Sequence, residues 1–182
     1  MNAESQTHDG FFIRLAPGLG VSSSSEKISG DKFEFDGMST AFNFAIGGAI
    51  AENLILQLDL SSSNISDPDV TLNGQDLGSL DGDLSTSLVG IGLTYYFPTN
   101  FYLSGAIGVA KSEIETNGQT GETDNGYGIN LMIGKEWWVS DNWGIGVAGQ
   151  LLYTSCPDKP VNGVEGDVNT TSVGLLFSAT YN

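Results

Sequence analysis

The chain has 182 residues, which suits one domain, and 25 of them are glycine, about twice the usual share of ~7%. Its 40% hydrophobic content argues against a disordered chain, and its net charge of −16 makes nucleic acid an unfavourable partner, because phosphate binding needs a cationic face. The single cysteine, Cys156, and the single histidine, His8, exclude an internal disulfide and metal sites built from several cysteines or histidines.

Residues 1–9 are polar and are predicted to form a flexible segment ahead of a single domain over residues 10–182. Met1 to Ser5 have neither the cationic nor the apolar stretch of a signal peptide, and no run of about 18 apolar residues predicts a membrane helix. A cytosolic protein and a secreted protein without its leader share these features. The strand pattern therefore has to decide between them.

Eight segments alternate large apolar residues with small or polar residues at period two, which is the pattern of β-strands. In chain order, their large apolar positions run from Phe11 to Val21, Met38 to Ile50, Leu54 to Leu60, Val89 to Phe97, Phe101 to Val109, Tyr127 to Trp137, Trp143 to Tyr153 and Thr171 to Tyr181. The opposite face of each segment carries mainly Gly, Ala, Ser and Asn, with a few charges.

The apolar faces hold more bulky side chains than the narrow interior of an eight-stranded barrel can accept. They are therefore predicted to face lipid, with Lys135 snorkelling near a strand end. The sequence thus predicts an all-β fold, an eight-stranded antiparallel up-and-down transmembrane β-barrel. A soluble lipocalin-like carrier, whose apolar faces would line a cavity, is the disfavoured alternative.

The connections alternate in length. Tight turns are predicted at 51–53, 98–100 and 140–142, and long loops at about 23–37, 62–83, 112–126 and 155–167. Short turns at one end and long loops at the other are typical of membrane barrels. We therefore expect short periplasmic turns, long extracellular loops, and both termini on the periplasmic side.

Aromatic residues fall on outward positions near both ends of the segments, as expected for the two interfacial girdles of a spanning barrel. The predicted girdle near the short turns comprises Phe11, Tyr95, Phe97, Phe101, Trp137, Trp143 and Tyr181. Near the long loops it comprises Tyr127 and Tyr153.

Repeated turn-then-strand units include Asn100-Phe-Tyr-Leu-Ser-Gly-Ala-Ile-Gly and Trp138-Val-Ser-Asp-Asn-Trp-Gly-Ile-Gly, and the final strand contains Ser172-Val-Gly-Leu-Leu-Phe-Ser-Ala. These pieces resemble the small outer-membrane barrel superfamily that includes the outer-membrane protein A transmembrane domain, protein X and opacity-type proteins. The resemblance covers about Gly10 to Tyr181 and implies location in a bacterial outer membrane, with a signal peptide removed. The family usually ends on an aromatic residue, whereas here Tyr181 is penultimate.

Some members of that superfamily are lipid A-modifying enzymes that pair a histidine with a serine or an acidic residue. Here His8 precedes the first strand at the opposite end from such a site, so nucleophilic catalysis is not supported. Cys156, in the last predicted loop, is interpreted as an incidental exposed thiol. No enzymatic activity and no cofactor are predicted.

Several polar residues fall on the inward face. Arg14, Asp59 and Glu136 are expected at roughly one height, as a hydrogen-bonded ion cluster, because an unpaired charge there would be costly. Asn43, Gln57, Asn130 and Gln150 would extend the polar network. The favoured interpretation is a structural plug, and the alternative is a gate or ion-selective constriction. Pro17, which lacks an N–H, is a possible bulge that shifts the register.

Sixteen of the 22 acidic residues, but only four lysines, fall in the long loops and their shoulders, which gives that end a net charge of −12. Divalent cations are possible partners there, with Asp67-Pro68-Asp69 and Asp81-Gly82-Asp83 as candidates. Neither matches the spacing of an EF-hand loop, so a solvated acidic face is favoured and no dedicated metal site is predicted.

These features favour a non-enzymatic outer-membrane protein with a structural or surface-interaction role. The main alternative is a small pore or transport protein for ions or small solutes. The expected partners are outer-membrane lipids, and a monomer is the default at this size.

Overall fold

The computed structural model describes residues 8–28, 30–158 and 166–182. These residues form eleven β-strands. The strands are β1 (Phe11–Ile28), β2 (Asp31–Ala51), β3 (Leu54–Ser66), β4 (Asp69–Leu72), β5 (Gln75–Ser79), β6 (Gly82–Tyr96), β7 (Phe101–Thr116), β8 (Gln119–Glu122), β9 (Gly126–Trp138), β10 (Trp143–Pro157) and β11 (Asp167–Tyr181).

Eight of the strands close into a ring. Their order is β1-β2-β3-β6-β7-β9-β10-β11, β11 pairs with β1, and every neighbouring pair is antiparallel. The remaining three strands are short: β4 pairs with β2 and β5, and β8 pairs with β7. The predicted eight-stranded antiparallel barrel is confirmed.

The large apolar side chains lie on the outside of the ring. Ile107 is 68% exposed, and Leu56, Ile91 and Ile133 are exposed as well. A lipocalin-like carrier would need these side chains to line a shared interior, so that alternative is wrong. The wall matches a hydrocarbon environment, and the polar interior faces away from it.

Inward glycines let neighbouring strands approach closely. Gly90 and Gly108 face each other across β6 and β7. A Cβ added at Gly90 would lie 2.2 Å from the carbonyl oxygen of Ile107, and one at Gly108 would lie 2.1 Å from that of Val89. The high glycine content thus has a local cause at this point of the wall.

The predicted short turns connect β2 to β3, β6 to β7 and β9 to β10. Asn53 and Asn100 have positive φ angles of 61° and 59° in the first two turns, a conformation that asparagine tolerates well. No helix long and apolar enough to cross a membrane occurs in the described ranges.

The predicted long loops are largely wrong, because most of their residues continue the strands. β1 and β2 remain paired up to Ile28 and Asp31. Region 62–83 contains the β4–β5 hairpin and region 112–126 contains β8. In region 155–167, Pro157 still pairs with Asp167, and residues 159–165 lie outside the described part of the chain.

A turn signal explains two of these hairpins. Asn73-Gly74 joins β4 to β5 and Asn117-Gly118 joins β7 to β8, and all four residues have positive φ. Asn-Gly is the preferred pair for a two-residue type I′ hairpin turn. Both turn signals are present in the sequence within the regions predicted as loops.

The bulge suggested at Pro17 is also wrong. Pro17 pairs with Phe42 in an unbroken β1–β2 register. On its other side the β1–β11 register is the same before and after it, from Arg14 with Thr180 to Gly18 with Leu176. The proline is therefore accommodated without an inserted residue.

Candidate functional site

The lumen of the barrel contains one dense polar network centred on Asp59. Its carboxylate accepts hydrogen bonds from Ser61 Oγ at 2.7 Å, Asn43 Nδ2 at 2.9 Å, Asn130 Nδ2 at 3.2 Å and Gln57 Nε2 at 3.3 Å. Asp59 is 1% exposed. A buried charge needs such a set of donors, because water no longer solvates it.

Arg14 enters the same network from β1. Its Nε donates to Asn43 Oδ1 at 3.3 Å and its Nη2 donates to Ser104 Oγ at 3.2 Å. The guanidinium carbon lies 5.0 Å from the ring centroid of Tyr102. The Asn43 side chain thus stands between Arg14 and Asp59 and bonds to both.

Glu136 lies in a second group of contacts. It accepts from Thr180 Oγ1 at 2.6 Å and from Tyr96 Oη at 3.2 Å. Among the described residues, Arg14 forms no salt bridge with Glu136 or Asp59. The predicted direct pairing of these three charged side chains is therefore wrong, because amide and hydroxyl groups lie between them.

The last predicted lumen residue, Gln150, also lies inside, and Gln57 makes a further contact. Gln150 Nε2 donates to Asn130 Oδ1 at 3.0 Å, and Gln57 Oε1 accepts from Thr94 Oγ1 at 2.8 Å. All seven predicted side chains are buried in the lumen. Six of them are joined through shared hydrogen bonds. Glu136 instead accepts from the hydroxyl groups of Tyr96 and Thr180. Thr94 and Ser104 complete the network and were not predicted, because serine and threonine are common on every inward face.

Aromatic rings fill the lumen near the short turns. His8 stacks on Tyr96 with ring centroids 3.5 Å apart and lies 5.0 Å from Trp138. Its main-chain oxygen accepts from Asn53 N at 3.1 Å. His8 belongs to the segment predicted to be flexible, yet its side chain is 2% exposed. Asp9, the next residue, is exposed, and for residues 1–7, which lie outside the described part of the chain, flexibility stays a prediction.

Nearer the hairpin end, hydroxyl groups replace the charged groups. Ser22 lies 2.8 Å from both Ser39 and Ser63, and Ser63 lies 3.0 Å from Ser172, with distances between Oγ atoms. Cys156 faces this part of the lumen and is fully buried. Its interpretation as an exposed thiol is wrong, because β10 continues to Pro157 and keeps it on an inward position.

Comparison with solved structures finds the same architecture. Neisserial surface protein A aligns with a TM-score of 0.58 and 16% identity, over 95% of this chain and 97% of its own. The outer membrane protein OprG of Pseudomonas aeruginosa has a TM-score of 0.58 and 15% identity, with 98% and 100% covered. The outer membrane protein AlkL has a TM-score of 0.53 and 11% identity, with 100% and 92% covered.

The chain has the fold of the small outer-membrane β-barrels. No protein-family model matches its sequence, and no curated protein sequence matches it. At these low identities the likeness establishes the fold, which agrees with the outward apolar wall.

The predicted girdle aromatics lie on the outer face of the barrel. Those near the short turns cluster: Trp143 and Tyr181 are paired across β10 and β11 with ring centroids 5.4 Å apart. Lys135 Nζ lies 4.5 Å from the centroid of Phe101 and donates to the Thr99 carbonyl at 2.6 Å. The remaining members, Phe11, Tyr95, Phe97, Trp137, Tyr127 and Tyr153, also occupy outward positions.

The carboxylates at the candidate divalent-cation positions accept hydrogen bonds from neighbouring residues of the hairpins. Asp69 accepts from Ser79 Oγ at 2.8 Å and Asp83 accepts from Ser66 Oγ at 2.6 Å. Asp67 accepts from the Gly82 amide at 3.3 Å. Within the described ranges, no group of three or more His, Cys, Asp or Glu side chains is placed to hold a metal ion.

The hairpin end also contains a carboxyl pair. Burial raises the pKa of Glu26 to about 7, and the neighbouring carboxyl group of Asp158 adds to the shift. At the other end, burial lowers the pKa of His8, and this outweighs the opposing effects of Asn182 and Asp9. The hairpin end therefore disfavours the negative charge of Glu26, and the short-turn end disfavours the positive charge of His8.

Proposed function

We propose that the protein is a non-enzymatic barrel of the bacterial outer membrane, closed by its own side chains, with a structural or surface-interaction role. The observation that carries this proposal is the Asp59 network. Four donors from three strands converge on one carboxylate in the middle of the lumen. Together with the His8–Tyr96 stack nearer the short turns, these side chains occupy the path that a permeating solute would follow.

The absence of catalytic chemistry is supported by the surroundings of the two candidate groups. His8 is buried against Tyr96 and Trp138, and Cys156 is fully buried beside Ser112, with Oγ and Sγ 3.9 Å apart. Neither group forms a nucleophile–base pair that is open to a substrate.

The surface-interaction role is supported by the rigid extension of the barrel beyond the apolar wall. The paired strands around Ile28, Leu72 and Thr116 carry many carboxylates on a β-scaffold. Such a surface suits a partner with cationic groups, or divalent cations that bridge to anionic lipids. Titration calorimetry with Mg²⁺, at constant ionic strength set by Na⁺, tests the cation partner; no heat beyond the Na⁺ control would contradict it.

Single-channel recording in planar bilayers tests the closed lumen. A difference in migration between unheated and boiled samples on a gel first shows that the barrel has folded and inserted. We expect no steady conductance from the inserted protein. The double variant His8→Ala/Tyr96→Ala, which removes the stack at the base, serves as the comparison. Steady conductance of the unmodified protein would contradict the plug and favour the pore alternative.

A further inference from the structure

A recess of about 490 Å³ interrupts the outer wall where the hairpin extensions begin. We call it the polar notch. Its outward polar side chains are Thr40, Ser62, Asn64, Ser85 and Ser87, Lys111 and Glu113 lie at its rim, and Pro17 and Phe42 form its apolar side. These residues are neighbours across β2, β3, β6 and β7: Thr40 pairs with Asn64, Asn64 with Ser85, and Ser62 with Ser87. Asn64 Nδ2 also donates to Ser85 Oγ at 3.0 Å.

Below the polar notch, the same wall carries a second recess, which is apolar. This apolar groove has a volume of about 1120 Å³ and is lined by Val89, Ile91, Ile107, Val109 and Ile129, among others. Val89 is the next outward residue below Ser87 on β6, and Val109 the next below Lys111 on β7. The two recesses therefore follow one another along the same strands.

Gly105 deepens the apolar groove. It occupies an outward position on β7, between Leu103 and Ile107. A Cβ added there would meet only Leu131 Cδ2, at 3.4 Å, so the groove results from a missing side chain and not from crowding. An apolar recess of this kind on a lipid-facing wall fits a hydrocarbon chain.

The charge of the polar notch identifies the kind of headgroup. Lys111 Nζ lies 2.8 Å from a Glu122 oxygen and 3.5 Å from a Glu113 oxygen, so its positive charge is already balanced. Recognition of a phosphate relies on uncompensated Arg or Lys groups. Hydroxyl and carboxamide groups, which both donate and accept, match the hydroxyl groups of a sugar.

We propose that the polar notch and the apolar groove form one binding site for a glycolipid of the surrounding membrane leaflet. Its uncharged sugar headgroup lies in the polar notch and one acyl chain lies along the apolar groove. The site rests on the membrane placement given under the proposed function, but it does not depend on whether the lumen conducts.

Native mass spectrometry of the protein released from mixed-lipid nanodiscs tests the site. The nanodiscs contain phosphatidylcholine with equal small amounts of a monoglycosyl diacylglycerol and of phosphate-bearing lipid A, with Mg²⁺ or with EDTA. We expect the glycolipid to be retained about tenfold more than lipid A under both conditions, the factor that two or three hydrogen bonds supply.

Three variants localise the effect. Ser62→Leu/Ser87→Leu fills the polar notch and should abolish the preference, whereas Ser155→Leu/Thr171→Leu, at outward positions of β10 and β11, should retain it. Gly105→Leu fills the apolar groove and should reduce retention of the diacyl glycolipid, while leaving binding of a short-chain alkyl glucoside unchanged.

Equal retention of all lipids, or a preference that survives Ser62→Leu/Ser87→Leu, would overturn the proposal. Stronger retention of lipid A would overturn it in favour of a phosphate site, and loss of that retention in EDTA would assign it to bridging cations. A gel-shift assay on every variant shows that the barrel is folded. Failure of the plug would instead appear as steady conductance, which does not alter the lipid ratio of an inserted barrel, whereas failure to insert into a bilayer would overturn both proposals.

Discussion

The two ends of the barrel are built from different chemistry. The short-turn end is packed with the rings of His8, Tyr96 and Tyr102 and with the buried carboxylate of Glu136. The hairpin end has hydroxyl pairs in its lumen and opens into a cavity of about 490 Å³. Carboxylates and apolar groups line that cavity, among them Glu26, Phe35, Leu84 and Asp158. The difference is one of packing: aromatic rings fill the lumen at the short-turn end, whereas the hairpin end keeps an open cavity.

Removal of the central carboxylate should have the largest effect on stability. Asp59→Ala leaves four donors without their acceptor and removes one of the two carboxylates that interact with the charge of Arg14, so we expect a loss of about 3–5 kcal/mol in the free energy of unfolding. Urea unfolding in lipid vesicles, followed by tryptophan fluorescence, measures it. The matched variant in the hydroxyl region is Ser63→Ala, which should cost about 1 kcal/mol. Equal losses would remove the distinction between the central network and the hydroxyl region of the hairpin end.

Loss of the His8–Tyr96 stack near the short turns should have the second-largest effect on stability. Tyr96→Leu removes both the stack on His8 and the hydroxyl that donates to Glu136, for an expected loss of about 2–4 kcal/mol in the same unfolding measurement. Tyr96→Phe keeps the stack and loses only the hydrogen bond, so its loss should be smaller. A result for Tyr96→Phe as large as that for Tyr96→Leu would show that the stack contributes nothing.

At the short-turn end, acidification should weaken the docking of His8. Because the pKa of the docked ring lies below the usual 6.5, docking is strongest above pH 6.5 and weakens as the pH falls through the lowered value. The fluorescence of Trp138, whose ring lies 5.0 Å from that of His8, should change over this range. His8→Phe, which has no titrating group, should abolish the change, and its persistence would assign the effect elsewhere.

At the hairpin end, the pH effect should have the opposite sign. It should also be smaller, because Glu26 is partly exposed. The pKa of Glu26 is about 7, above the usual 4.5, so its contribution to stability is complete below pH 4.5 and is lost as the pH rises through 7. Carboxylates of Asp158, Glu113 and Glu122 share this cavity. Amide hydrogen exchange at Glu26 and its partner Val168 should accelerate with pH beyond the intrinsic rate. Glu26→Gln should remove this excess; the same excess in the variant would contradict the assignment.

The ring and the lumen residues could be predicted because period-two alternation is local. Each of Arg14, Asn43, Gln57, Asp59, Asn130, Glu136 and Gln150 lies between two outward neighbours in its own strand, so its side of the wall follows from sequence alone. The hairpin extensions could also have been predicted in part, from Asn73-Gly74 and Asn117-Gly118. The expected loops failed because Ser, Glu and Asp resemble loop residues, although they occupy paired strands.

The sequence by itself determined which residues of the eight segments face outward, which face the lumen and where the tight turns fall, since these depend only on neighbours along one strand. Only the tertiary structure decided which lumen residues meet. Asn43 lies between Arg14 and Asp59, Glu136 bonds to Tyr96 and Thr180, and His8 enters the base. Those contacts depend on the register accumulated over eight strands and on the tilt that closes the ring, and no single segment encodes either.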